Sequence, residues 1–261
     1  MGKSAVEYES ADRIGVLTLN RPEQRNAMSP ELLDAFSEQI EVARNDADIR
    51  CLVITGKGRC FSAGADLRSS LQRSDLGKPS REASYAMYEP FLRVLDVQVP
   101  VIAALNGHTV GGGFGLALLA DIRVANRDSK YGANFARLGI HSGLGISYVL
   151  PRLVGPAHAA ELLFTGSLIG GSEALRIGLV SHAVDAENVL PTAFRIARGI
   201  TGSAPLAVQT MKTSIRRGLG WQIRQAALEE AGFQAESLNT EDAKEGISAI
   251  LQKREPEFTG K

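Results

Sequence analysis

Two glycine-bearing segments hold the residues best suited to chemistry in this chain: "SAGADL" at 62–67 and "VGGGFGLAL" at 110–118. Small residues let a backbone approach a ligand closely, because no β-carbon intervenes. The free N–H groups of a helix's first turn stabilise a developing negative charge. One such donor from each segment would form an oxyanion hole. A tight turn with close helix–strand packing uses the same residues and is the alternative reading. The second segment also lacks an acid or base of its own. No Asp, Glu, Lys or Cys stands among its glycines, and the only nearby imidazole is His108.

Other chemistries fail on spacing. Residues 111–116, G-G-G-F-G-L, lack the last glycine of a dinucleotide fingerprint, and neither GxxxxGK[ST] nor GxSxG occurs. Cys51 and Cys60 flank an apolar run without metal-ligand spacing. Buried free thiols in a reducing, cytoplasmic compartment are expected, with no metal.

The elements that position these segments are readable in part. Residues 14–19 form a strand that stops at Arg21-Pro22. Ser29 caps a helix that opens on Pro30, with Leu32, Leu33, Phe36, Ile40 and Ala43 on its buried face. "CLVIT" at 51–55 is a strand buried on both faces, and "VIAAL" and "IRVAN" (122–126) are further strands. Residues 67–83 are expected as a mobile loop. Tyr85, Tyr88, Leu92 and Leu95 mark a helix ending before Pro100, and the second half is mostly helical. Strands alternate with helices first and helices follow, which predicts one α/β domain with a C-terminal helical extension.

Composition agrees with an ordinary globular chain: 261 residues, 44% hydrophobic and 22% charged. Lys+Arg and Asp+Glu are 29 each, a balance that argues against a nucleic-acid or anionic-membrane surface. The N-terminal residues have no apolar core like that of a signal peptide. The apolar region 99–122 is broken by Asn106, His108 and five glycines, so it suits a protein interior better than a bilayer.

"LNRPEQRNAMS", "FSAGADL", "NGHTVGGGFGLALLADIRVA", "LPRLVGPAHAAELLFTG", "EALRIGLVSHAV" and "EDAKEGISAILQKREPEFTGK" occur in that order. Through these motifs nearly the whole chain resembles the crotonase superfamily, also called the enoyl-CoA hydratase/isomerase family. The resemblance implies an α/β spiral of ββα units over residues 1–195 that binds an acyl-CoA thioester. It also implies a C-terminal helical trimerisation region over 196–261, in a homotrimer or homohexamer. Coenzyme A would enter as part of the substrate, without a separate cofactor. The oxyanion-hole N–H groups would be those of Ala65 and Gly112. Ala63, Asp66, Leu67, Arg68, Gly111, Phe135 and Ser142 would line the substrate pocket. Arg25 and Ala27 would lie near the CoA nucleotide, and Lys253 and Phe258 would reach a neighbouring subunit's adenine. For Arg25 and Lys253, a solvated basic side chain is the plainer alternative.

The chain departs from the family at the water-activating carboxylates. Family hydratases carry two glutamates, and the matching positions here are Gly115 and Phe135. General acid–base help contributes about 10²–10⁴-fold per group, so hydration is not expected of these residues. The nucleophilic Asp of family dehalogenases matches Gly143, which disfavours that chemistry as well. A family decarboxylase has a Tyr aligned near Ser142.

His141, in a glycine-flanked loop beside Ser142, is the candidate replacement acid or base, since an unperturbed imidazole titrates near about 6.5. A surface-loop histidine is the alternative. His108 suits packing, Arg137 and Asn134 suit a polar acyl group or solvent, and His158 and His182 have nothing catalytic beside them. The expected function is an enzyme of fatty-acid or related acyl-CoA metabolism, a lyase or isomerase that stabilises a thioester enolate. The alternative is a catalytically silent acyl-CoA-binding or assembly subunit.

Overall fold

The structure, a computed structural model, describes residues 4–65 and 80–261. It opens on a hairpin, β1 (Val6–Ala11) against β2 (Ile14–Leu19), paired antiparallel with Ala11 opposite Ile14. The two turn residues, Asp12 and Arg13, both take positive φ, the backbone hand that matches strand twist in a two-residue hairpin. Polar residues on the exposed half of β1 hide this strand from a hydrophobic-pattern search. The helix α1 (Pro30–Asn45) starts where expected. Ser29 Oγ accepts the Leu32 N–H at 3.2 Å, and all five predicted face residues are buried.

From β3 (Cys51–Gly56) onward the chain alternates between two sheets. The strands β3, β5 (Val101–Leu105) and β7 (Ile122–Asn126) lie in a sheet of order β1-β2-β3-β5-β7-β10. Each is followed by a short strand of a second sheet: β4 (Cys60–Ser62), β6 (His108–Val110) or β8 (Lys130–Gly132). Helix α2 (Arg81–Leu92) lies between β4 and β5, and α3 (Gly112–Leu119) follows β6. After β8 come a 3₁₀ turn, Asn134–Leu138, and α4 (Ile146–Thr165). This is the spiral of paired strands and helices that the resemblance implied.

Residues 81–83 belong to α2, so the loop expected over 67–83 ends sooner than predicted. The remainder, 67–79, falls outside the described residues, as do the candidate residues Asp66, Leu67 and Arg68.

The central strands β3 and β5 are covered on both faces, and every residue in them is buried for that reason. Leu52, Ile54, Val101, Ala103 and Leu105 join the core that holds α1, α2 and α3. Cys51, Val53, Ile102 and Ala104 face the opposite way, onto Val189, Ala193 and Ala197. These three form one stripe of α6 (Val189–Thr201), which follows β9 (Ile169–Gly170), α5 (Gly171–Arg176) and β10 (His182–Val184). Both cysteines are free and buried, and burial pushes the Cys51 thiol up to about 12. The domain boundary expected at 195/196 thus falls within α6.

Helices α7 (Pro205–Ile215), α8 (Leu219–Leu238) and α9 (Glu241–Gln252) complete the chain. Asp121 anchors α7 to the core, with Lys212 Nζ at 3.0 Å and Arg216 Nε at 2.5 Å. The same two cations cap backbone carbonyls of Val99 and Leu119 at 2.6 Å. Among the described residues, no helix is long and apolar enough to cross a membrane, and no cluster of His, Cys, Asp or Glu has the makings of a metal site.

Candidate active site

The first glycine segment is pinned by Asn26, the middle residue of the Arg25–Ala27 stretch that the resemblance put near the CoA nucleotide. Asn26 is fully buried with φ 51°, a conformation asparagine tolerates better than most residues. Its Oδ1 accepts the Arg21 N–H at 2.8 Å, and its Nδ2 donates to the carbonyls of Lys57 (3.1 Å) and Cys60 (2.9 Å). Its own carbonyl accepts from Ser62 Oγ at 2.8 Å. The Arg25 carbonyl accepts the Ala63 N–H at 3.0 Å, and the Met28 N–H donates to Gly64 at 2.8 Å. The two stretches 25–28 and 62–65 are therefore laced together. Ala27 is buried, whereas the Arg25 side chain is exposed. Met28 pairs with Ala65 in a parallel bridge through the Gly64 carbonyl, which leaves Ala65's own N–H directed away from Met28.

The second glycine segment meets the first backbone to backbone. A β-carbon on Gly64 would sit 2.8 Å from the Val110 oxygen and 3.2 Å from the Gly112 nitrogen, and Gly64 has φ +80°. Only glycine permits that approach. Gly112 is the first residue of α3, where amides have no acceptor within the helix. The helix is buried throughout, so water has little access to those N–H groups.

Hydrocarbon fills both positions that the resemblance matched to the hydratase glutamates. A β-carbon on Gly115 would lie 2.6 Å from Leu144 Cδ2, so Leu144 occupies the space a side chain at 115 would need. Phe135 is buried in the 3₁₀ turn, and its Cζ would be 3.9 Å from a β-carbon on Gly111.

His141 and Ser142 lie between that turn and α4, held by α8. The His141 N–H donates to Ser237 Oγ at 2.9 Å, and its carbonyl accepts from Gln234 Nε2 at 3.0 Å. Its ring Nδ1 is 2.7 Å from the Ser142 carbonyl oxygen. A neutral imidazole makes that contact only with its proton on Nδ1, which leaves the Nε2 lone pair available. The ring also lies 5.3 Å from that of Phe233.

Three further polar residues lie next to these: Tyr88 on α2, and Glu230 and Gln234 on α8, all buried. Glu230 accepts from the Gly145 N–H (2.6 Å), the Ser147 N–H (2.8 Å) and Ser147 Oγ (2.5 Å), and so caps the start of α4. Burial pushes its carboxyl above the ordinary value against these bonds. A signal for this group did exist. Ile223, Ala227, Glu230, Ala231 and Gln234 share a helical face, and polar residues on an otherwise apolar stripe need partners.

Lys253 and Phe258 lie in another neighbourhood, at the end of α9 and on the tail beyond it, and both are exposed. Lys253 lines a surface cavity of about 390 Å³ with Arg137, Ile250, Arg254, Glu255 and Pro256. Arg137, from the 3₁₀ turn Asn134–Leu138, pairs with Glu255 at 2.7 Å. Glu89 bonds Arg93 at 3.1 Å on the outer side of α2.

Residues 9–261 match the family model described as enoyl-CoA hydratase/isomerase. The chain is 36% identical to a crotonyl-CoA hydratase of Syntrophomonas wolfei, over all of both chains. It is 35% identical to an (E)-benzylidenesuccinyl-CoA hydratase of Thauera aromatica, over 98% of this chain and 99% of that one. The solved structure of EchA1_1 from Mycobacterium paratuberculosis superposes with a TM-score of 0.88 at 31% identity, and covers both chains fully.

Proposed function

The chain belongs to the enoyl-CoA hydratase/isomerase family, and from that premise we propose that it is an acyl-CoA enzyme of enolate chemistry other than classical hydration. The observation that carries this reading is the meeting of Gly64 with Gly112. It sets the amides of Ala65 and Gly112 at adjoining backbones, where both can donate to one thioester oxygen. Two fixed donors in a water-poor site stabilise the oxygen's developing charge when a proton leaves the neighbouring carbon. The relatives' names speak of hydratases, but Leu144 and Phe135 occupy the region where a water would have to be held and activated. In this reading Ala63, Gly111, Phe135 and Ser142 line the acyl pocket. Arg25 and Ala27 flank the CoA nucleotide. His141 is the base, acting through Nε2.

Assembly belongs to the same proposal. Leu206, Met211, Ile215 and Trp221 on α7 and α8 are 62–81% exposed, more apolar surface than a solvated helix pair needs. A homotrimer or homohexamer would cover it and would bring Lys253 and Phe258 towards a neighbour's nucleotide.

Hydrogen–deuterium exchange at Cα of butyryl-CoA tests the chemistry. The wild type should exchange, with crotonyl-CoA hydration weak or absent. His141→Ala should abolish exchange and keep butyryl-CoA affinity within a few-fold. Efficient hydration would defeat the carboxylate argument, and undiminished exchange in His141→Ala would remove the base. Binding without any exchange would make the protein a silent acyl-CoA-binding subunit.

A further inference from the structure

Tyr88 lies where α2 comes over both the start of α3 and the loop before α4. A β-carbon on Gly112 would be 3.6 Å from its Cε1, and one on Gly143 would be 2.3 Å from Cε2 and 2.9 Å from the hydroxyl oxygen. The phenol therefore spans the space between Gly112 and Gly143.

The hydrogen bonding at this phenol is one-sided. Gln234 Nε2 donates to Tyr88 Oη at 2.9 Å and to the His141 carbonyl at 3.0 Å. The His141 carbonyl can only accept, so the amide's nitrogen must face it and Tyr88 Oη is an acceptor towards Gln234. The phenolic hydrogen is then free to point elsewhere. On the same amide, Gln234 Oε1 is buried with no hydrogen-bond partner among the described residues. A buried network left with a donor and an acceptor unused is costly unless a ligand completes it. Burial, joined by the charge of Glu230, keeps the phenol protonated well above its ordinary range. Glu230 itself is committed to α4 through three bonds and has no comparable freedom.

We propose that Tyr88 is the acid of this site, donating its hydroxyl proton to the bound acyl group, and that Gln234 is the residue that positions it. This rests on the acyl-CoA reading above. After the base removes a Cα proton, the Tyr88 Oη–H bond breaks and its electron pair stays on the phenolic oxygen. The enolate's carbon–carbon π pair forms the new C–H bond, and the carbonyl is restored. The Gln234 N–H stabilises the phenolate until solvent water returns a proton to it. The protonated base gives its own proton to solvent, so the cycle exchanges one hydrogen and consumes nothing. A thioester enolate is a stronger base than a phenolate, so even a weakly acidic phenol can protonate it. The acid is thus supplied from α2 and positioned from α8, beside a base from the loop before α4.

The test uses the full-length protein and butyryl-CoA, following Cα exchange in deuterium oxide and affinity by calorimetry. Tyr88→Phe preserves the ring, so packing against Gly143 survives. It should lower the exchange rate by about 10²–10⁴-fold and keep affinity within about threefold. Gln234→Met, which keeps length but loses both donors, should lower the maximal exchange rate while KM stays nearly constant. A merely structural role would instead shift KM and the unfolding midpoint together with the rate, and that result would overturn Gln234 as a positioning residue. Exchange by Tyr88→Phe at the wild-type rate would overturn the acid alone. A wild type that binds butyryl-CoA without exchange would overturn the enzyme reading and the acid with it.

Discussion

Position 115 shows how a side chain's absence can be structural as well as chemical. Glycine there is matched by Leu144, a non-glycine residue with φ 66° whose side chain fills the space beside α3. Such a conformation persists only where the surroundings hold it, and the buried leucine supplies that hold. Restoring the family carboxylate alone should therefore fail. Gly115→Glu would place its β-carbon 2.6 Å from Leu144 Cδ2. The expected cost is about 1–3 kcal/mol of overpacking, to which burial of the new carboxyl would add. Urea unfolding measures that cost, and crotonyl-CoA hydration should stay at the wild-type level. A stable Gly115→Glu protein with hydratase activity would show that the pocket still accommodates the water machinery.

At the scale of elements, the 3₁₀ turn Asn134–Leu138, α9 and the tail form one unit. A β-carbon on Gly139 would be 2.5 Å from the Asp242 carbonyl oxygen, and one on Gly246 would be 2.5 Å from the Leu138 backbone. Helix α9 thus lies directly on the turn that carries Phe135. The tail folds back on α9, where Asp242 accepts the N–H groups of Thr259 (2.7 Å) and Gly260 (2.8 Å). Glu245 accepts from the Arg254 guanidinium and from the Glu257 N–H. The Arg254 hydrogen bonds hold the Glu245 carboxyl down at about 2, from an ordinary 4.5. A depressed carboxylate value makes the contribution fully present above pH 4.5 and lost as pH falls towards 2. The amide resonances of Glu257, Thr259 and Gly260 should shift through that window in NMR spectra, while those of β3 and β5 stay in place. A tail whose amides do not respond before global unfolding would show that its attachment is independent of these carboxylates.

The whole molecule carries its least explained surface on the C-terminal helices. Asp121, Lys212 and Arg216 fasten α7 to the core, and the outward face of α7 and α8 remains apolar. If that face is the subunit contact, Ile215→Glu with Trp221→Glu should convert a trimer or hexamer into monomers in sedimentation at micromolar concentration. Both side chains are mostly exposed, so far-ultraviolet circular dichroism should be unchanged. An assembly that tolerates both charges would place the contact elsewhere.

The family, the alternation of strands and helices, and the start of α1 at Ser29 were all legible in the residues. Each is carried by local signals: a motif order, a hydrophobic period, a cap followed by proline. The meeting of the two glycine segments was implied by resemblance, which also matched Gly115 and Phe135 to the positions of the hydratase glutamates. The strand β1 escaped because its exposed polar residues give no apolar period. What filled the vacated positions was not legible. Leu144 reaches Gly115 from twenty-nine residues away in the chain, and the hydrogen bond from Gln234 to Tyr88 spans 146. Contacts of that separation depend on how α2, α4 and α8 pack, and no local pattern records it. The face of α8 held a hint in its two buried polar residues, but their partners exist only once the helices have met.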